Sequence, residues 1–164
     1  MRKLRVYLDT SVISYLDQRD APEKMQETRQ LWDMFRQGTY EAYLSDTTMQ
    51  EINKCNPEKR ATLTGFLAQI PYTLIVSNDE IHRLANKFLE MGILRPKSYD
   101  DCLHIAAAIV ADCDMITSWN FKHIVNAKTM RGVRVITTLE RYGDVSIYAP
   151  PSLLDYEEDN DESD

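Results

Sequence analysis

The chain has 164 residues, 43% hydrophobic and 27% charged, which suits one domain with a sizeable core and excludes a disordered or fibrous class. Its formal net charge of -7 argues against a strongly basic nucleic-acid binder. Residues 155–164, however, hold seven acidic side chains and no basic ones, leaving 19 acidic against 19 basic in the rest.

A basic start is followed by a short apolar run that meets Asp9, too brief for a signal peptide or a membrane span. The run Leu4-Arg5-Val6-Tyr7-Leu8 is branched and aromatic and reads as a strand. The polar cluster Asp9-Thr10-Ser11 then starts a helix. Asp17 to Pro22 interrupts that helix. It resumes over 23–37, with Met25, Leu31, Met34 and Phe35 at helical spacing, until Gly38 stops it. Alternation over 40–44 predicts a second strand. Ser45-Asp46-Thr47-Thr48 supplies capping residues for a short helix that carries Met49, Glu51 and Ile52.

Pro57 opens the next helix, because proline is tolerated in a first turn. Tyr72 to Val76 is rich in strand-forming residues and predicts a third strand, after which Ser77-Asn78-Asp79-Glu80 caps a helix running to Met91. Residues 98–112 form the most apolar helix. Met115-Ile116-Thr117 predicts a fourth strand, 120–125 an irregular or helical turn, and Val133-Arg134-Val135-Ile136 a last strand. From Tyr148 onward a proline pair precedes the acidic run, so residues 1–147 are expected to form the domain and 148–164 a disordered acidic tail. Alternating strands and helices predict an α/β fold, a three-layer α/β/α sandwich around a parallel sheet of four to five strands.

In such a sheet functional groups collect beyond the carboxyl ends of the strands. Asp9 follows the first strand, Glu51 lies early in the helix after the second, Asp101 begins the apolar helix, and Asn120 follows the fourth strand. Three converging carboxylates repel one another unless a cation neutralises them, and a hard divalent ion with oxygen ligands does so. Thr10 and Ser118 stand beside these positions and are expected to orient carboxylates. With that charge spent on a cation, the remaining surface is mildly basic and compatible with phosphates.

These segments together resemble the PIN-domain nucleases, which include VapC-like toxins. Val6-Tyr7-Leu8-Asp9-Thr10-Ser11-Val12 is similar to the family's opening strand and first acidic residue, and Met49-Gln50-Glu51-Ile52 to its second acidic site. Asp101-Cys102-Leu103-His104-Ile105-Ala106-Ala107-Ala108 resembles the third, an aspartate opening an alanine-rich helix. Ile116-Thr117-Ser118-Trp119-Asn120-Phe121-Lys122-His123 resembles the fourth, where many members carry an aspartate in place of Asn120. That departure removes one negative charge and weakens the case for a second metal ion.

The resemblance covers nearly the whole domain. It implies a Mg2+- or Mn2+-dependent endoribonuclease with Asp9 and Asp101 as ligands, Glu51 as water-holding ligand or base, and Asn120 as auxiliary. It further implies an RNA substrate, an antitoxin partner, a homodimer and a toxin role. Lys122 and His123 are candidates for touching RNA phosphate, while His104 reads as a hydrogen-bonded core histidine. Trp119 reads as buried, with base stacking the alternative. The competing function is a PIN-like scaffold that binds RNA or protein without cleaving it, and Asn120 is the feature in its favour. The strand ending in Asp-x-Ser is superficially similar to haloacid-dehalogenase phosphatases, but that class expects a second aspartate where this chain has Ser11. Cys55, Cys102 and Cys113 include no pair at CxxC spacing, so neither a disulfide framework nor a zinc ribbon is indicated and a cytoplasmic, membrane-free location is expected.

Overall fold

The computed structural model describes residues 2–154. β1 (Arg5–Leu8), β2 (Glu41–Ser45), β3 (Tyr72–Ile75), β4 (Met115–Thr117) and β5 (Ser146–Tyr148) form one sheet in the order β3-β2-β1-β4-β5, with every neighbouring pair parallel. The central strand β1 alternates as a strand with both faces covered must. Val6 and Leu8 pack into one core, and Tyr7 into the other.

One core is closed by α1 (Thr10–Ser14), α2 (Pro22–Gln37), α4 (Pro57–Leu67) and α8 (Pro151–Leu154), with Ile13, Leu31, Trp32, Phe35 and Leu63 fully or almost fully buried. Ile52 of α3 (Asp46–Asn53) joins them. The opposite core lies under α5 (Asp79–Glu90), α6 (Tyr99–Val110) and α7 (Ala127–Leu139). From Cys102 to Ile109 every residue of α6 is buried, which explains why that helix is apolar on all sides. The result is a three-layer sandwich of the expected class.

Helix boundaries follow local chemistry. Asn56, Asn78 and Asn126 each accept a backbone N–H from three residues on, satisfying a donor that the first turn leaves open. Gly38 ends α2 at a φ of 79°, a left-handed conformation that suits glycine.

Two expectations are corrected. Val133 to Ile136 is not a strand but the middle of α7, and the last strand is Ser146–Tyr148. The branched residues suggested a strand, yet Thr129, Gly132, Val133, Ile136 and Thr137 are buried at helical spacing, while Val135 is 45% exposed. Packing against the apolar core outweighs the modest strand preference of Val and Ile. The boundary at residue 147 falls inside β5, and the ordered chain continues through α8, whose Leu153 is buried and whose backbone carbonyl accepts the Tyr40 hydroxyl at 2.6 Å. The acidic run from residue 155 lies outside the described residues.

Among the described residues no helix is long and apolar enough to cross a membrane.

Candidate active site

Asp9 leaves β1 at its carboxyl end and is the N-cap of α1. It is only 3% exposed, and both of its carboxylate oxygens are held. The Ser11 hydroxyl donates to Oδ1 at 2.5 Å, and the Ser118 hydroxyl to Oδ2 at 2.6 Å. Ser11 and Ser118 are themselves fixed, since the Trp119 N–H donates to Ser11 Oγ and the Asn120 N–H to Ser118 Oγ, each at 2.9 Å. The turn after β4 is thus tied to the turn after β1, which β-sheet order already places side by side.

Glu51 projects from α3 and meets His104 of α6, with Oε1 2.7 Å from Nε2. The other ring nitrogen, Nδ1, lies 2.6 Å from the Tyr7 hydroxyl, which is 2.7 Å from Ser45 Oγ. This buried chain joins β2, β1, α6 and α3. A consistent proton arrangement has Ser45 donating to Tyr7 and Tyr7 donating to Nδ1, which leaves Nε2–H to donate to Glu51. Glu51 is engaged by this imidazole, and the N-cap of α3 is Ser45. A capping pair between Thr48 and Glu51, which their Thr-x-x-Glu spacing would allow, is not formed.

Asp101, in the first turn of α6, is half-buried and accepts the Asn120 amide at 3.3 Å. Asn120 in turn accepts the His123 N–H at 2.9 Å through its side-chain oxygen. Its adjacent Asp100 is exposed.

Burial and neighbouring charges shift the proton affinities of these groups. Burial raises Asp9, against the lowering pull of His104 and of the Ser11 and Ser118 hydrogen bonds. Burial also raises Asp101; His104 and His123 oppose it, and the negative charges of Asp9 and Glu51 reinforce it. Burial alone would raise Glu51, but its hydrogen bond to and charge attraction from His104 prevail and hold it below the usual glutamate value. Burial disfavours the charged form of His104, yet its bond to Glu51 and the carboxylates of Asp9, Glu51 and Asp101 raise it overall. Three carboxylates therefore share one electrostatic neighbourhood around a buried imidazole.

The donors are hard oxygens, the kind that Mg2+ and Mn2+ take. Asp9 Oδ1 accepts both the Ser11 hydroxyl and, at 3.4 Å, the Val12 N–H, whereas Oδ2 accepts the Ser118 hydroxyl and Glu51 Oε1 the imidazole, so Asp9 Oδ2 and the Glu51 carboxylate keep lone pairs for another partner. Among the described residues no group of three or more His, Cys, Asp or Glu side chains is arranged to hold a metal ion. The set therefore does not form a cage of three or more such ligands.

Of the sequence-based candidates, Asp9 and Ser118 are in direct contact, as are Asp101 and Asn120. Thr10 does not touch Asp9; its hydroxyl lies 3.5 Å from His104 Nε2 and supports Glu51. Lys122 and His123 sit in the adjoining turn, exposed and half-buried respectively. Trp119 is 7% exposed, its indole N–H donating to Thr28 Oγ1 at 2.9 Å, so it packs beneath the site and is not open to a base. Two contributors escaped the sequence reading. Ser11 was visible only as part of a capping cluster, though a hydroxyl two residues after an aspartate is a recurrent local partner. His104 was read as core, correctly, but nothing local indicates that its second nitrogen reaches Glu51.

No protein-family model matches the chain, and no curated protein matches it. Among solved structures it is similar to a chain in the crystal structure of VapBC2 from Rickettsia felis bound to a DNA fragment from their promoter. The two share 13% identity with a TM-score of 0.55, over 89% of this chain and 98% of that one. At that identity the likeness is one of fold: a PIN-like three-layer sandwich.

Proposed function

We propose that the protein is a metal-dependent endoribonuclease that hydrolyses phosphodiester bonds in RNA. The observation that carries this reading is the placement of Asp9, Glu51 and Asp101 about the buried His104 at the carboxyl edge of the parallel sheet, with Glu51 bonded to the imidazole and Asp9 fixed by Ser11 and Ser118, a gathering of carboxylates at which a cation is favoured. Mg2+ or Mn2+ bound there would supply Lewis acidity toward a phosphoryl oxygen and make water more acidic.

The chain's own residues have separable tasks. Asp9 and Asp101 would hold the ion, Asp9 in an orientation set by Ser11 and Ser118 and Asp101 in one set by Asn120. Glu51, steadied by His104, takes the proton from the attacking water. Attack in line with the leaving oxygen needs no covalent link to the protein. The neutral amide of Asn120 in place of a carboxylate favours one ion over two.

The toxin of a type II toxin–antitoxin pair is the biological role that fits, with an antitoxin partner and a homodimer. The fold likeness to a chain of a VapBC2 structure supports it.

Wild-type protein with manganese is expected to cleave RNA. Asp9→Asn and Asp101→Asn, still folded by circular dichroism, are expected to lose that cleavage, and Glu51→Gln to slow it by about 10²–10⁴-fold. RNA left intact by the wild type across single-stranded and tRNA substrates would replace the nuclease with a binding scaffold.

A further inference from the structure

Beside the acidic centre lies a cavity of about 110 Å³ whose charged lining is wholly basic. Arg95 comes from the loop between α5 and α6, Lys122 and His123 from the turn after β4, and Lys128 from the first turn of α7. Ser98 and Asn126 add polar groups to the same wall. Among the described residues no carboxylate is paired with Arg95, Lys122 or Lys128, and all three are exposed. In a chain with a net charge of -7, three separate segments thus bring uncompensated cations to one small concavity. Like charges gathered this way repel, and an anion in their midst relieves that repulsion. The volume has room for a group the size of one phosphate.

Its position gives the anion an identity. The His123 N–H is bonded to Asn120 and the Asn120 amide to Asp101, so the basic cavity and the acidic centre are separated by a single hydrogen-bonded side chain. A strand whose scissile phosphate lies at the carboxylates has a neighbouring phosphate available on this side. The geometry points to a subsite in which Arg95, Lys122 and Lys128 hold a backbone phosphate of single-stranded RNA next to the one being cleaved. The inference rests on the nuclease reading and adds to it the direction in which the substrate leaves the site. Phosphate contacts of this kind fix register and carry no base preference.

The test measures binding apart from cleavage. A labelled single-stranded RNA is titrated with the full chain in EDTA at several KCl concentrations, followed by fluorescence anisotropy. Each lost phosphate contact is expected to lower the slope of log affinity against log salt by about 0.7. Arg95→Ala and Lys128→Ala should each do so, weakening binding several-fold alike for different RNA sequences, and Lys128→Arg should restore it. Lys59→Ala, an equal charge change at a half-buried position of α4 outside the cavity lining, should leave the slope alone. Slopes unchanged in Arg95→Ala and Lys128→Ala, or lowered equally in Lys59→Ala, would overturn the subsite even if the wild type cleaves RNA. The reverse result, slopes lowered in Arg95→Ala and Lys128→Ala without any manganese-dependent cleavage, keeps the subsite and removes the nuclease. Inorganic phosphate bound by the wild type with no change in any RNA slope would assign the cavity to a free anion and overturn it.

Discussion

Tyr7 shows how one atom can matter to both stability and chemistry. Its ring fills one core beneath α6, while its hydroxyl is the link between Ser45 and His104. Burial and the nearby charges of Asp9 and Glu51 raise its proton affinity, so it stays a neutral donor. Tyr7→Phe keeps the packing but strands two buried polar groups, at a cost of about 1–3 kcal/mol. A lower urea midpoint with an unchanged m-value is the expected measurement. Cleavage should also fall, because His104 loses the partner that leaves Nε2–H for Glu51. An unchanged midpoint would mean that the chain of hydrogen bonds carries no stability. None of this was legible beforehand. Tyr7 reads as an ordinary strand aromatic, and its polar partners come from residues 45 and 104, distances along the chain that no local pattern spans.

At the scale of elements, α7 is the instructive case. Its sequence alternates Val and Arg over 133–135, which favours a strand, while Asn126 ahead of it accepts the Thr129 N–H at 2.9 Å and starts a helix. The capping signal was present but was outvoted by branched residues nearer the middle. What settles the conflict is contact with the loop after α5. Gly132 sits so close to Ile93 that an added Cβ would lie 2.5 Å from Cγ2. Glycine weakens a helix interior, and here it is retained because the neighbouring chain needs its space. Gly132→Ala should therefore destabilise by about 1–3 kcal/mol despite alanine's better helix propensity, read as a lower melting temperature. An increase would show that Ile93 moves aside freely. By contrast, α5, whose Asn78 cap and apolar stripe agree, is readable from residues alone because local preference and packing point the same way.

For the molecule as a whole, the all-parallel sheet is what turns scattered carboxylates into a site. Every strand ends at the same edge, so Asp9 after β1, the Ser118 to Asn120 turn after β4 and the helix after β2 arrive together. That arrangement brings Asp101 within the field of Asp9 and Glu51, and on the proposed metal-dependent reading a bound ion should stabilise the fold through mass action. Manganese at about 100 times its dissociation constant adds about 2.7 kcal/mol. Thermal denaturation should show the wild-type melting temperature rising by several degrees, and Asp101→Asn should lose most of that rise. A wild-type curve that manganese does not move would remove the metal from the proposed function.

The order of strands and helices as far as β4, the layer architecture and the positions of Asp9, Glu51, Asp101 and Asn120 relative to strand ends followed from the sequence by itself. Each is written in consecutive residues: apolar periodicity, caps, and polar residues just past a strand. Tertiary structure alone decided that 133–136 is helical, that Ser11 rather than Thr10 steadies Asp9, that His104 holds Glu51, and that Arg95 and Lys128 share a cavity with Lys122. The physical reason is common to all four. A branched segment's choice of conformation and a polar group's choice of partner are set by what packs against them, and those neighbours lie far away along the chain.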